Sequence, residues 1–223
     1  MTMDTNKNLY TVIYAAVLVI ISALILTLAA TLLKDKQQRN VEVETKQMIL
    51  RSVHLADNLT ELTDKATYIE QEYSKYIKDT TITADDGDDL KMYICTIDGR
   101  TIYIFYVEGP GLWGPIWGYV SLESDMNTIY GAVFDHKGET PGLGAEIATS
   151  PFYNKFKGKQ LFDQNRKFVS VQVVKGGADP SNRHQVDAIS GGTITSKAVE
   201  ELLYNSLGRY ISFIKTKLNS ANN

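Results

Sequence analysis

A short turn near the end of the sequence carries the residue types best suited to chemistry. The turn reads DAISGGTITS, residues 187–196, and combines an acid with two adjacent glycines and four hydroxyl side chains. An apolar helical pattern follows it, so one hydroxyl can cap that helix, while the free amides and the dipole of a helix N-terminus attract phosphate. A threonine held beside a bound phosphate is also placed to form a phosphoester. The turn is therefore a candidate helix cap, phosphate site or attachment site.

Two glycine-rich loops are the other candidates for a ligand site. The first, EGPGLWG at residues 108–114, holds Trp113 between glycines, where it either packs in a hairpin or lines a flat aromatic ligand. The second, HKGETPGLG at residues 136–144, lets the backbone approach a ligand closely and pushes Leu143 outward. This second loop matches neither the dinucleotide-binding fingerprint nor the P-loop, so its spacing alone is a weak ligand signal.

Composition and spacing exclude several functions. The net charge is -3 and no basic stripe occurs, so we expect no binding to nucleic acid. The single cysteine, Cys95, can form no internal disulfide and no cysteine metal cluster. His54, His136 and His184 each lack a second histidine at ligand spacing. The acidic run at residues 85–89 lacks the spacing of a calcium loop, so we predict a solvated turn there and no metal site.

The N-terminal part of the chain contains a candidate membrane-spanning segment. No charged residue occurs at residues 9–33, a run longer than the roughly 20 apolar residues that a bilayer crossing needs. The apolar region of a cleaved signal peptide is only about 7–15 residues long, so we predict an uncleaved single-pass anchor. Lys34, Lys36 and Arg39 follow the run and only Lys7 precedes it. Taken alone, this charge bias places the large domain in the cytoplasm.

Apolar residues next recur at three- and four-residue steps from Met48 to Ile77, which is typical of amphipathic helices. A break near Asp57, Asn58 and Thr60, all good capping residues, would divide the stretch into two helices.

From residue 91 the apolar period changes to two. KMYICTIDGRTIYIFYV predicts two strands joined at Asp98-Gly99, and IWGYVSLES, TIYGAVFDH and RKFVSVQVV are further strand candidates. Residues 199–218 carry one apolar face of a final helix, with Thr195 or Ser196 as its N-cap. We predict an α+β fold: an N-terminal transmembrane helix, a twisted antiparallel sheet with flanking helices, and a C-terminal helix that begins at the turn.

These residues together resemble a known family. The chain is similar to the C subunit of the sodium-translocating NADH:quinone oxidoreductase, within the superfamily of FMN-binding proteins. The attachment signature of that family is Asp, two variable residues, Ser or Thr, Gly, Ala and the acceptor Thr, and it corresponds to residues 187–193, with Gly192 in place of alanine. GLWG, HKGETPGLG, FKGKQLF, VVKGG and KQMIL resemble family segments in the same order, so the resemblance covers nearly the whole chain.

The resemblance implies a flavoprotein that relays electrons between neighbouring subunits. FMN would be attached covalently to Thr193 through a phosphoester, Trp113 and Leu143 would wall the isoalloxazine, and the flavin transferase that modifies Thr193 would need Asp187. The chain would act as one subunit of a sodium-translocating NADH:ubiquinone oxidoreductase and would not be catalytic alone. The residues implied to bind FMN are Trp113, Glu139, Thr140, Gly142, Leu143, Gly144, Glu146, Lys175, Ser190, Gly191, Gly192, Ile194 and Thr195.

The resemblance also implies partners and a location. The partners would be the other membrane subunits, the flavin transferase and the lipid bilayer. Because the transferase of this family acts outside the cytoplasm, residues 1–8 would be cytoplasmic and residues 9–33 would span the bacterial inner membrane. Residues 34–223 would form a periplasmic FMN-binding domain whose membrane-proximal helical part is residues 34–80. This placement opposes the charge bias of the flanking residues.

Two other functions stay open. One is the FMN subunit of the related ion-translocating ferredoxin:NAD oxidoreductase, and the other is a membrane-anchored binding protein without a redox role. The GLWG loop, the complete HKGETPGLG loop and the amphipathic segment after the anchor favour the quinone-reductase subunit over the ferredoxin complex.

Overall fold

A computed structural model describes residues 8–57 and 64–220 of the chain. The chain divides into two units, Met1–Glu44 and Thr45–Asn223. Helix α1 (Asn8–Ser52) accounts for all of the first unit that is described. Its N-terminal part is long and apolar enough to cross a membrane, and none of the side chains in that apolar window is buried. The predicted N-terminal apolar helix is therefore present, and the helix continues well past the apolar run because Leu, Lys, Gln and Glu are good helix formers.

The second unit is built on a five-stranded antiparallel sheet in the order β1-β2-β3-β4-β5. Every strand pairs with its neighbour in sequence. Asp98 and Gly99 join β2 to β3 with φ values of 51° and 75°, the positive pair that a two-residue hairpin turn requires. The strands are β1 (Ile77–Thr83), β2 (Asp89–Ile97), β3 (Arg100–Pro110), β4 (Pro115–Leu122) and β5 (Ile129–His136).

Helices cover both faces of this sheet. On one face, Ser121 of β4 donates a hydrogen bond to the carbonyl oxygen of Ser52, at the C-terminal end of α1 (2.6 Å). Neighbouring residues of a strand point to opposite faces, and Phe105, next to the cross-strand partner of Ser121, packs edge-on against Tyr210 with ring centroids 5.0 Å apart. The second face is thus covered by the C-terminal helices α4 (Thr193–Arg209) and α5 (Ile211–Ser220). The α+β prediction is confirmed.

Several elements differ from the predicted ones. The final helix is two helices, because the chain leaves helical geometry at Tyr210 (φ -88°, ψ 1°). Helix α2 (Lys65–Tyr76) ends before Ile77, which starts β1, so the predicted helical part at residues 34–80 runs four residues too far. Asn58 and Thr60, two of the predicted capping residues, lie outside the described residues.

The rest of the second unit consists of short elements that connect the sheet to the turn. The strand predicted in RKFVSVQVV is only the three residues of β6 (Gln172–Val174), which pairs in parallel with β7 (Gln185–Asp187). A 3-10 helix (Gly144–Ala148), the short helix α3 (Ser150–Tyr153) and a second 3-10 turn (Asn154–Phe156) follow β5.

Candidate functional site

The hydroxyl-rich turn connects β7 to α4. The amide of Ala188 donates to the carbonyl oxygen of Val174 in β6 (2.9 Å), which fixes the start of the turn against the short parallel pair. Helix α4 then begins at Thr193 with Gly192 as its N-cap, and no side chain caps it. The prediction that Thr195 or Ser196 caps this helix is wrong, because the helix starts before both residues.

Two of the four hydroxyls serve other structural bonds. Ser196 Oγ accepts a hydrogen bond from the amide of Ile189 (2.9 Å), so it ties the start of the turn to the first turn of α4. Thr195 Oγ1 donates to Glu139 Oε2 (2.6 Å) in the second glycine loop. Thr195 and Ser196 are both buried, whereas Ser190 and Thr193 are exposed. Thr193 is therefore an exposed hydroxyl-bearing residue at the first position of α4.

The second glycine loop lies directly on this turn. A Cβ atom at Gly191, whose φ is +77°, would stand 2.7 Å from Leu143 Cδ2. A Cβ atom at Gly192 would stand 3.1 Å from the carbonyl group of Leu143 and 2.9 Å from Ile189 Cγ2. Hydrogen atoms at these two positions thus allow the two loops to touch. This close contact gives a structural reason for two adjacent glycines.

Glu139 joins three segments at one buried point. Its side chain is 4% exposed, and its carboxylate accepts hydrogen bonds from the amide of Trp113 (2.9 Å) and from Thr195 Oγ1 (2.6 Å). Burial raises the pKa of Glu139, but the hydrogen bonds from Thr195 and from the amides of Trp113 and Leu112 outweigh it, so its pKa lies below the ordinary value. Glu139 is thus a charged group that holds the first glycine loop, the second glycine loop and α4 together.

Exposed apolar side chains gather around the same point. Leu112, Trp113, Leu143 and Ile194 are 45%, 69%, 42% and 63% exposed. In the described part of the second unit, Tyr204 is the one other large hydrophobic side chain that is exposed to this degree. We call these four residues the apolar rim. All belong to the three segments that Glu139 joins, and a group of exposed apolar side chains marks a site for a ligand or a partner.

The remaining predicted site residues differ in their exposure to solvent. Thr140, Gly142 and Lys175 are exposed, Glu146 is half-buried and Gly144 is buried. A Cβ atom at Gly144 would come within 2.5 Å of Glu139 Oε2, so this glycine serves the packing of the loop. Lys175 follows β6 and stands beside the base of the turn, because its neighbour Val174 pairs with Asp187.

Asp187 and a lysine that the sequence did not reveal also fix the base of the turn. Asp187 Oδ1 accepts a hydrogen bond from the amide of Ala178 (2.5 Å), which ties the turn to the loop after β6. Lys155 Nζ donates to the carbonyl oxygen of Asp187 (3.3 Å). Lys155 lies in the short 3-10 turn after α3, thirty-two positions before Asp187, and no local pattern pairs two such distant residues.

Comparisons with known proteins agree with this arrangement. A family model described as an FMN-binding domain matches residues 111–208, which include the end of the first glycine loop, the second loop and the turn. The chain is 39% identical to the C subunit of Na(+)-translocating NADH-quinone reductase from Pseudomonas aeruginosa over 122 residues, 53% of this chain and 46% of that protein. It is 33% identical to the protein of the same name from Chlamydia muridarum over 171 residues, 69% of this chain and 54% of that protein. The chain thus spans about half the length of the curated relatives it matches.

Two solved structures have the same fold. The crystal structure of the C subunit of Na(+)-translocating NADH-quinone reductase from Parabacteroides distasonis superposes with a TM-score of 0.72 at 40% identity, covering 82% of this chain and 96% of that chain. The crystal structure of Shewanella oneidensis NqrC superposes with a TM-score of 0.68 at 25% identity, covering 82% of this chain and 98% of that chain.

Proposed function

Because the chain belongs to the family of the C subunit of Na(+)-translocating NADH-quinone reductase, we propose that it carries FMN covalently on Thr193 and relays electrons between neighbouring subunits. The observation that carries this proposal is the exposed hydroxyl of Thr193 at the start of α4, beside a cluster of exposed apolar side chains. Among residues 8–57 and 64–220, that hydroxyl has no hydrogen-bond partner, so a transferase can reach it without breaking a bond of the fold.

The surroundings of Thr193 suit both the phosphate and the isoalloxazine ring of FMN. A phosphoester on Thr193 would place its negative charge at the N-terminus of α4, where free amides and the helix dipole stabilise an anion. The apolar rim would cover the isoalloxazine, with Trp113 and Leu143 as its walls. FMN supplies the redox chemistry when bound, and the protein sets its position and its access to solvent.

We assign positioning roles to the polar residues of the site. Glu139 accepts hydrogen bonds from Thr195 and from the Trp113 amide, so Glu139 and Thr195 hold Trp113 and Leu143, the walls of the ring site, in place. Asp187 and Lys155 order the base of the turn that the transferase must recognise.

We further propose the location and the partners of the chain. Residues 1–8 would lie in the cytoplasm, residues 9–33 would cross the inner membrane and residues 34–223 would form the periplasmic FMN-binding domain. The apolar helix supports membrane anchoring. The extracytoplasmic action of the flavin transferase, which the family resemblance implies, supports the orientation. Donor and acceptor would be other subunits of the complex. The names of the relatives favour this assignment over the ferredoxin:NAD oxidoreductase subunit.

Intact-mass spectrometry of the full chain, made together with its flavin transferase, tests the attachment. We expect the wild type to gain the mass of one FMN less one water, and Thr193→Ala to gain nothing while it keeps its circular dichroism spectrum. Thr96→Ala is the matched control, because Thr96 is an exposed threonine of β2 outside the proposed site, and it should be modified like the wild type. Covalent flavin on Thr193→Ala would show that another residue is the acceptor.

A further inference from the structure

The start of β2 and the end of β3, near helix α4, are not paired with each other. The pairing of these strands runs from Ile97↔Arg100 to Met92↔Phe105 and stops there. By contrast, β2 stays paired with β1 as far as Asp89, and β3 stays paired with β4 as far as Pro110. The start of β2 and the end of β3 therefore diverge inside an otherwise continuous sheet.

Side chains of α4 and its C-cap occupy the place of the missing strand contacts. The hydroxyl of Tyr210 donates to the carbonyl oxygens of Lys91 in β2 (2.8 Å) and Tyr106 in β3 (3.2 Å). Ser206 Oγ donates to the carbonyl oxygen of Glu108 (3.0 Å) and accepts from the amide of the same residue (3.1 Å). Since backbone groups left without partners are costly, these bonds make the opening a stable feature of the fold.

A cavity of about 510 Å³ lies at this opening. This volume is within the range of about 300–1,000 Å³ that is common for small-molecule sites. Rings line it: the centroid of Tyr119 lies 5.8 Å from that of Tyr93 and 5.5 Å from that of Tyr106. We call this cavity the aromatic cleft, and its aromatic residues are Tyr93, Tyr106, Trp117, Tyr119 and Tyr210.

Two carboxylates and two cations line the aromatic cleft, and the charge of one cation is already offset by acids outside the lining. Asp89, Glu108, Lys91 and Arg209 line it, but Arg209 is already paired with two further carboxylates, at 3.1 Å and 2.6 Å. Tyr106 donates its hydroxyl to Glu108 Oε2 (2.8 Å). Burial raises the pKa of Tyr106 most, and the hydrogen bond to Glu108 and the negative charge of Glu108 raise it further. The two carboxylates that pair with Arg209 are Asp86 and Asp88.

We propose that the aromatic cleft binds an organic cation, an ammonium or guanidinium group. The faces of tyrosine and tryptophan rings attract such a cation through the ring quadrupole, and Glu108 supplies an opposite charge at the cleft. An anion would instead meet Asp89 and Glu108 against Lys91, because Asp86 and Asp88 already offset the charge of Arg209. A neutral flat ring would gain nothing from this excess of negative charge.

The cation has two possible sources, a free small molecule or a Lys or Arg side chain of a neighbouring polypeptide. A second cavity shares Tyr106, Glu108 and Trp117 with the aromatic cleft and is also lined by Gly111 and Gly114 of the first glycine loop. A basic side chain seated in the cleft would therefore bring its polypeptide towards the loop that carries Trp113. The inference does not rest on the covalent flavin, because none of the lining residues belongs to the turn.

Fluorescence of Trp117 tests the proposal. The chain has two tryptophans, so the full-length Trp113→Phe variant has Trp117 as its one tryptophan. Made without the flavin transferase and held in a maltoside detergent, which has no ammonium group, it is titrated with tetramethylammonium chloride against sodium chloride of equal ionic strength. We expect a saturable change with the organic cation only. Glu108→Gln and Tyr106→Leu should each weaken binding roughly five- to tenfold.

Glu201→Gln is the matched control, since Glu201 is an exposed acid of α4 that does not line the cleft, and its affinity should equal that of the parent. A blocked Gly-Arg-Gly peptide distinguishes the sources: binding of the peptide alone identifies a basic side chain, and binding of both identifies a site open to free cations. Responses to tetramethylammonium and to the peptide that are both no larger than the response to sodium chloride, an unchanged affinity in Glu108→Gln, or equal binding of benzoate would overturn the proposal. If Tyr106→Leu does not fold, Glu108→Gln still decides.

Discussion

Replacing Glu139 tests whether one buried carboxylate holds the site together. Glu139→Gln keeps the shape of the side chain but leaves one oxygen where two accept hydrogen bonds, from Trp113 N and Thr195 Oγ1. If the remaining oxygen accepts from the backbone amide of Trp113, the side-chain NH₂ of the glutamine faces Thr195. The Thr195 hydroxyl can then rotate to accept a hydrogen bond from this NH₂ group, but it no longer has an acceptor for its own proton. Glu139→Ala removes both acceptors and leaves the buried Thr195 hydroxyl and the part-buried Trp113 amide without partners.

The expected losses follow from these bonds. A hydrogen bond to a charged group contributes about 1.5–3 kcal/mol and a neutral one about 0.5–1.5 kcal/mol, so Glu139→Gln should lower the free energy of unfolding by about 1–2 kcal/mol. Glu139→Ala leaves two unsatisfied groups at about 1–3 kcal/mol each, so we expect a loss of about 2–5 kcal/mol. Glu146→Gln, a half-buried acid two residues beyond Gly144, is the control and should stay within about 0.5 kcal/mol.

The stability difference between the wild type and Glu139→Gln should also depend on pH. The pKa of Glu139 is lower in the folded chain than its ordinary value of 4.5, so ionised Glu139 adds stability above that value, and this stability is lost as the pH falls through the lower folded pKa. The difference between the wild type and Glu139→Gln should therefore shrink in acid. Urea unfolding followed by tryptophan fluorescence, at pH 7 and again well below pH 4.5, measures it. A Glu139→Gln variant as stable as Glu146→Gln at pH 7 would refute the role of the carboxylate.

Two further substitutions test the same site. Gly144→Ala places a Cβ within 2.5 Å of Glu139 Oε2 and should lower the free energy of unfolding by about 1–3 kcal/mol, whereas Gly114→Ala, whose nearest contact is 3.6 Å, should cost far less; equal losses would contradict the packing argument. Leu143→Ala should keep the mass increase of one FMN less one water but change the visible spectrum of the flavin and increase iodide quenching of its fluorescence. Unchanged quenching would mean that Leu143 does not wall the ring.

Local chemistry explains which elements the sequence predicts well. The β2–β3 hairpin follows from Asp98-Gly99, because the turn itself requires residues that tolerate positive φ. Strand β1 is not predicted, because its residues, IKDTTIT, are mostly polar and follow directly on the apolar period of α2. Ile77 continues that helical period, and only pairing with Cys95 in β2 makes it a strand residue. Non-local pairing of this kind leaves no mark in the local pattern.

The same limit applies to the site. The sequence draws attention to the turn and both glycine loops, since glycines and hydroxyls are visible in a short window. It does not reveal that Glu139 holds the loops together or that Lys155 reaches the base of the turn, because both contacts join residues more than twenty positions apart. The predicted start of α4 is wrong because the helix already begins at Thr193. The side chains of Thr195 and Ser196 instead form hydrogen bonds with Glu139, in the second glycine loop, and with the amide of Ile189, in the turn itself.

This distribution of hydroxyls bears on which residue can be modified. A transferase needs an exposed nucleophile, and Thr195 and Ser196 are buried in hydrogen bonds that hold the turn and the loops. Ser190 is exposed but precedes the two glycines, whereas Thr193 follows them as the first residue of α4. An ester on Thr193 would bring its phosphate to the helix N-terminus, where the charge is stabilised. Under the proposed attachment, Thr193 is the favoured acceptor, because two of the four hydroxyls are used structurally and Thr193, unlike Ser190, belongs to the first turn of α4.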